Sequence, residues 1–272
     1  MIENPTTREM QAGKIRRYTD NASSPASLNW ILCERRVIGT LLSVSVFLIL
    51  MGFIFQMSML YLPKFLGRDM FWGLFNLNGE SNIPAAFSAL LLMLATLILG
   101  VISGARRQIK SADASAWRAL TLIFGFLALD EAAGLHERTA NIVNSIVKTD
   151  GILFYAWVIP YGTLTLVVGL AFLQFMRQLP ATIRNRIILA GAIYIVGALG
   201  MEVLEAKVVS NAGTQNFLNQ GLIVIEEGME MLGVTLFIGA LLRYVRLYLP
   251  DLQLRVSVAP ATPLTPRNSN DD

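Results

Sequence analysis

Eight of the 19 Asp and Glu residues, and the single histidine, fall in segments that are otherwise almost wholly apolar. Asp130, Glu131, His136 and Glu137 lie in ALDEAAGLHER, Glu202 and Glu205 in MEVLEAK, and Glu226, Glu227 and Glu230 in IEEGMEM. Grouped carboxylates in apolar surroundings can bind a cation, share and move protons, or serve as protonated hydrogen-bond links between helices. One charge at mid-bilayer costs roughly 2.5–3.5 kcal/mol on insertion scales. Eight free charges therefore need protons, water or a bound cation to balance them. The nearest basic residues, Arg138, Lys148 and Lys207, are too few to do so. One or two such acids read as interhelical links, whereas a set on three segments reads as a site.

Helical spacing determines which acids can cooperate. Asp130 and Glu137 are seven apart and would share a face of a continuous helix, with Glu131 about 100° round from Asp130. Glu202 and Glu205 are i, i+3 neighbours, and Glu226 and Glu230 are i, i+4, with Glu227 one turn before Glu230. Each segment can thus aim at least two carboxylates at one interior point. Carboxylate-bridged metal sites in helix bundles use such an arrangement with a Glu-x-x-His pair. Here no Glu precedes His136 by three, so a soluble-type di-iron site is not expected. An oxygen-dominated ligand set suits Mg²⁺, Ca²⁺ or Mn²⁺, and His136 as a ligand would admit Fe²⁺ or Zn²⁺. As a lone histidine at a helix end, His136 serves equally well as an interfacial or capping residue.

Other chemistries are excluded by what is scarce. One cysteine, Cys33, leaves no intrachain disulfide, CxxC pair or iron–sulfur cluster, and one histidine leaves no three-His zinc site or bis-His haem. No P-loop, G-x-S-x-G or H-E-x-x-H is present, so no nucleotide motif and no catalytic residue is assigned.

The elements that must position these acids are membrane helices. The chain has 272 residues, 54% hydrophobic and only 15% charged, where a soluble domain carries about 25% charged residues. Six apolar stretches reach the roughly 20 residues a bilayer crossing needs: 37–60, 83–103, 117–137, 152–176, 187–206 and 220–242. The expected fold is all-α, a six-span bundle over 37–249. A polar tail precedes it over 1–36, without a signal peptide, and a disordered tail rich in Pro, Ser, Thr, Asn and Asp follows over 250–272. Seventeen of the 22 Lys and Arg residues fall in the two tails and the second and fourth loops. The positive-inside rule then puts both termini, and Cys33, in the cytoplasm. The net charge of +3 is thus a topology signal, and no nucleic-acid partner is implied.

On that topology the third and fifth helices run outward and the sixth inward. The helical rise places Asp130, Glu202, Glu226, Glu227 and Glu230 roughly 6–15 Å below the outer surface, with His136, Glu137 and Glu205 nearer the rim. Pro160 is expected to kink the fourth helix about 12 Å down by crowding the carbonyl of Ala156. Trp157 and Tyr161 beside it are as well explained by interfacial anchoring, and no ligand role is given to them. The loop Leu62–Asn82 reads as an amphipathic lid whose end carries Ser81 or Asn82 as a helix cap and Pro84 in the first turn. Glu80 is the one residue of that loop able to join the acidic site. Gly100, Gly104, Gly191, Gly197 and Gly200 are read as permitting close helix packing.

At Asn78–Pro84, Leu129–Arg138 and Glu226–Gly233 the chain resembles an uncharacterised group of bacterial multi-pass membrane proteins over its six-helix region. It departs from the group at Asn78, where Asp would be expected before Gly79. The resemblance implies a bacterial inner-membrane location and marks the same acidic segments, with no activity attached. The leading expectation is a divalent-cation site on the outward side. The alternatives are a proton- or cation-coupled transporter or channel, and a structural or partner-binding membrane subunit. The lipid bilayer is the expected partner, and the sequence carries no sign for or against oligomers.

Overall fold

The computed structural model describes residues 33–146, 151–250 and 252–253. Most of the two expected tails, and Lys148, lie outside these residues, as does the side chain of Glu137. The described residues are helical and contain no strand. The helices are α1 (Glu34–Tyr61), α2 (Arg68–Phe75), α3 (Ile83–Gln108), α4 (Ala114–Ala133), α5 (Leu135–Ile146), α6 (Val158–Gln178), α7 (Ala181–Ile195), α8 (Glu202–Ala212) and α9 (Phe217–Tyr248). A 3₁₀ turn, Gly151–Leu153, precedes α6, and a π-turn, Val196–Met201, joins α7 to α8.

Four runs are long and apolar enough to cross a membrane: Glu34–Tyr61, Ile83–Gln108, Val158–Gln178 and Ala181–Ala212. Their apolar side chains largely face outward. Leu97 is 62% exposed and Leu166 64%, whereas a water-soluble bundle turns such residues inward.

Helix α9 is the central element, packed against α1, α3 and α7. Small residues make that possible. At Gly233 a Cβ would lie 2.8 Å from the backbone nitrogen of Tyr194, and at Gly197 one would lie 3.0 Å from the Cβ of Met229. The expected packing role therefore holds for Gly197. Gly104 and Gly191 face open space, and Gly100 meets only Thr121, at 3.7 Å. Helices α3 and α4 make the most extensive pairing.

The end of the bundle remote from the acids is filled by apolar side chains, among them Leu99, Ile102, Trp117, Ile183, Ile238 and Leu241. Trp117 is fully buried, edge-on to Phe175 and tilted against Tyr244. Its indole Nε1 donates to Asp113 Oδ2 at 3.2 Å. The same carboxylate accepts two bonds from the Arg106 guanidinium, at 2.8 and 2.9 Å, and one from the Ser111 hydroxyl at 2.6 Å. This clamp fixes the α3–α4 connection. Burial pushes the Asp113 carboxyl upward, but the bonds from Arg106, Ser111 and Trp117 outweigh it and hold the group below its ordinary 3.8. A depressed folded-state value contributes stability that is fully present above 3.8 and lost as the pH falls through the folded value. Asp113→Ala should therefore cost about 2–3 kcal/mol at neutral pH. Thermal unfolding should show the gap to wild type narrowing only in acid, and a gap that widens in acid would contradict this account.

Two expected elements need correction, and a third is decided between its alternatives. Helix α4 stops at Ala133, because Gly134 adopts a left-handed conformation (φ 57°) and its N–H caps the carbonyl of Asp130. His136 and Glu137 therefore belong to a separate helix, and Asp130 and Glu137 do not share a continuous face. Pro160 does not kink a helix interior: α6 begins at Val158, so Pro160 occupies its first turn, where no intrahelical N–H bond is lost. Of the two residues considered as caps for α3, Asn82 caps, accepting from the Ala85 N–H at 3.1 Å. Ser81 instead takes a left-handed φ of 58°.

In the expected lid, α2 lays Phe71 and Phe75 against Phe55 of α1, with ring centroids 5.4 and 5.9 Å apart. Met70 and Leu66 remain exposed, and Leu77 is buried.

Candidate functional site

The acids of α4, π-turn/α8 and α9 converge on one cavity of about 350 Å³. Asp130, Glu131, Glu202, Glu226, Glu227 and Glu230 all line it, with His136 and Glu80. Each reaches it by a local departure from regular structure or by a close helix approach. In an unbroken helix, residue 136 would sit about 240° round from residue 130. The left-handed Gly134 turns the chain back instead, so that His136 Nδ1 lies 3.3 Å from Asp130 Oδ2. A side chain at this left-handed position would be strained and would crowd Glu80, because a Cβ on Gly134 would lie 3.1 Å from the Glu80 carboxyl carbon.

Glu80 is delivered by the turn before α3. The Asn82 side-chain amide donates to the carbonyls of Asn76 and Gly79, at 2.6 and 2.7 Å. The left-handed Ser81 then redirects the chain into α3. Glu80 Oε1 ends 3.8 Å from His136 Nε2. The imidazole is thus flanked by a carboxylate on each nitrogen.

On the opposite helix pair, the π-turn carries one residue more per turn than an α-helix, which rotates the face that follows. Glu202 and Glu205 open the next helix, α8, and one oxygen from each lies within 4.8 Å of the others and of one from Glu226 of α9. The close approach at Gly197, where a Cβ would lie 3.2 Å from the Glu226 carbonyl, brings α9 near enough for this. Glu205 was expected at the rim but is only 1% exposed. Sequence position gave its height along the helix and could not show that the Gly151–Leu153 turn packs over α8. Among the described residues no N–H or hydroxyl donates to its Oε1, and its carboxyl is paired with that of Glu226.

Two aromatic side chains left without a role at the sequence level support the acids. Trp157 Nε1 donates to Glu202 Oε1 at 3.0 Å, and the Tyr161 hydroxyl donates to Asp130 Oδ1 at 2.8 Å. They are four residues apart at the start of α6 and so share a face. That spacing, opposite acids on neighbouring helices, was the available signal. Tyr194 also lines the cavity. Nothing local marks it, since its place depends on the absence of a side chain at Gly233.

Like charges at 4 Å repel by about 4 kcal/mol at an effective dielectric of about 20. Glu202, Glu205 and Glu226 therefore need a cation or protons among them. Three carboxylates converging from two helices, one of them supported by an indole N–H, could hold a metal ion between them.

The fold and the cavity define a class: an all-helical protein with helices long and apolar enough to cross a membrane and a carboxylate-lined chamber between them. Within that class the chain belongs to the family described as Domain of unknown function (DUF8692), whose model matches residues 40–245. The matched region contains every residue of the cavity. Its uncharacterised status agrees with the expected resemblance, while a bacterial source and a six-helix count form no part of the match. No curated protein and no solved structure matches the chain.

Proposed function

We propose that this protein crosses the plasma membrane six times, with both termini in the cytoplasm, and binds a divalent cation in a chamber near the outer surface. Glu202, Glu205 and Glu226 are the first ligands, and Asp130, Glu131, His136, Glu137, Glu227 and Glu230 form the wider acidic set around them. The observation that carries the reading is Glu205: a buried carboxylate whose Oε1 meets no N–H or hydroxyl donor among the described residues, with carboxyl oxygens of two neighbours inside 4.8 Å. A buried, unpartnered carboxylate oxygen is costly unless a cation or a proton meets it. The six-span topology is supported by the segregation of 17 basic residues to alternate loops and tails. A bacterial inner-membrane setting is part of the same proposal, on the sequence resemblance alone. Cation binding is preferred to conduction because apolar side chains fill the bundle beyond the chamber.

Metal analysis of the detergent-purified protein tests this directly. About one Mg²⁺, Mn²⁺, Ca²⁺, Fe²⁺ or Zn²⁺ per chain is expected, lost in Glu226→Gln. Finding no stoichiometric metal under any of these ions would sink the proposal.

A further inference from the structure

A single ion among Glu202, Glu205 and Glu226 leaves much of the chamber unexplained. Its volume of about 350 Å³ is room for roughly ten waters. That size falls at the lower end of small-molecule sites, about 300–1,000 Å³. Five further carboxylates line it: Glu80, Asp130, Glu131, Glu227 and Glu230. His136 is the only basic side chain among the described residues lining it. An occupant that brings positive charge would balance these carboxylates, as protons or water otherwise must.

Four aromatic residues share the rest of the wall with small and aliphatic ones such as Leu127, Ala198 and Leu199. Tyr155, Trp157, Tyr161 and Tyr194 all contribute to the lining. Trp157 and Tyr161 meet edge to face, with centroids 5.3 Å apart, and the His136 ring packs on Trp157 at 4.9 Å. Aromatic faces attract cations through the ring quadrupole, most strongly with Trp and most of all where water is excluded. A small inorganic ion gains little from such a wall, because it prefers oxygen ligands and holds its water. An alkylammonium group gains from both kinds of lining: its N–H groups donate to carboxylates, and its C–H surface lies against the rings.

We propose that the chamber takes an organic ammonium group, such as that of an ethanolamine-bearing molecule, beside the divalent ion. The group can arrive on a free small amine or on a lipid headgroup, since the chemistry of recognition is the same. This inference goes beyond the metal reading and does not require it. Trp157 separates the two, because its indole N–H serves Glu202 while its ring serves the ammonium.

Calorimetric titration of ethanolamine and tetramethylammonium into the purified full-length protein tests the proposal, with metal content measured on the same samples. Wild type should bind both. Trp157→Phe keeps a ring and should change ammonium affinity by no more than about threefold, while metal affinity falls roughly 10- to 100-fold with the lost N–H bond. Trp157→Leu should weaken ammonium binding about tenfold or more, and Glu230→Gln should weaken it too. Should Trp157→Leu not fold, the Glu230→Gln comparison decides alone. No heat of binding in wild type, or equal affinity in wild type and Glu230→Gln, would overturn the inference. Metal loss with ammonium binding intact would remove only the metal reading. In nanodiscs, weaker ethanolamine binding in phosphatidylethanolamine than in phosphatidylglycerol supports a headgroup ligand, and equal binding supports a free amine.

Discussion

In a thermal-unfolding assay, Glu205→Gln should abolish the stabilisation that a divalent cation gives to the wild-type protein. A ligand that binds only the folded state raises its stability by RT ln(1 + [L]/Kd), about 2.7 kcal/mol at a free concentration of about 100 Kd. Glutamine keeps the size of the side chain but removes a charge and one anionic oxygen. Affinity should fall by more than the roughly 10- to 100-fold that a supporting hydrogen-bond partner costs. The ion-free variant should be no less stable than ion-free wild type, because removing a charge from a crowded, buried site relieves repulsion. The pair of effects has opposite signs, so general damage to the fold cannot imitate it. Equal ion-induced shifts in variant and wild type would eliminate Glu205 as a ligand.

Gly134→Val is expected to be more damaging. The position has φ 57°, which a β-branched residue tolerates poorly, and its Cβ would press against the Glu80 carboxyl. Backbone strain of this kind costs about 1–3 kcal/mol, and the crowding adds to it. The larger consequence is geometric. If the turn opens, His136 leaves Asp130, and Glu80 loses its place beside the imidazole. Asp130 and Glu80 should then behave as separate groups. The histidine ring resonances, followed by NMR across a pH titration, should move toward those of a solvent-exposed imidazole. An unchanged titration in a folded Gly134→Val protein would show that the turn does not hold His136.

Much of the candidate site was legible in the sequence because carboxylates are so conspicuous in apolar helices. Spacing alone placed Glu202 beside Glu205 and Glu226 beside Glu230, and helix direction gave Glu202, Glu226 and Glu230 a similar expected depth, with Glu205 nearer the rim. The breaks in regularity were hidden. Gly134 reads as one more small residue in an apolar run, and only its left-handed conformation shows that α4 ends there. The segment Val196–Met201 continues the apolar pattern without interruption, so nothing in VGALGM announces a π-turn. Pro160 was visible, but its effect depends on where α6 begins, which is set by the preceding 3₁₀ turn. The burial of Glu205 comes from a segment some fifty residues earlier in the chain, beyond the reach of any local pattern. Regular helix geometry can thus bring acids to a shared height, while their final partners are set by irregular turns and long-range packing.

The π-turn also makes the chain's residue count at this point a constraint in its own right. A substitution within Val196–Met201 changes a side chain, whereas deleting one residue would let the turn close into ordinary α-helix. Everything from Glu202 to Ala212 would then swing by about 100° relative to α7, carrying Glu202 off the chamber wall and Glu205 away from Glu226 without altering either of them. Outside Gly197, where α9 leaves little space for a side chain, variation in this protein should therefore be more freely accepted in the letters of this segment than in its length.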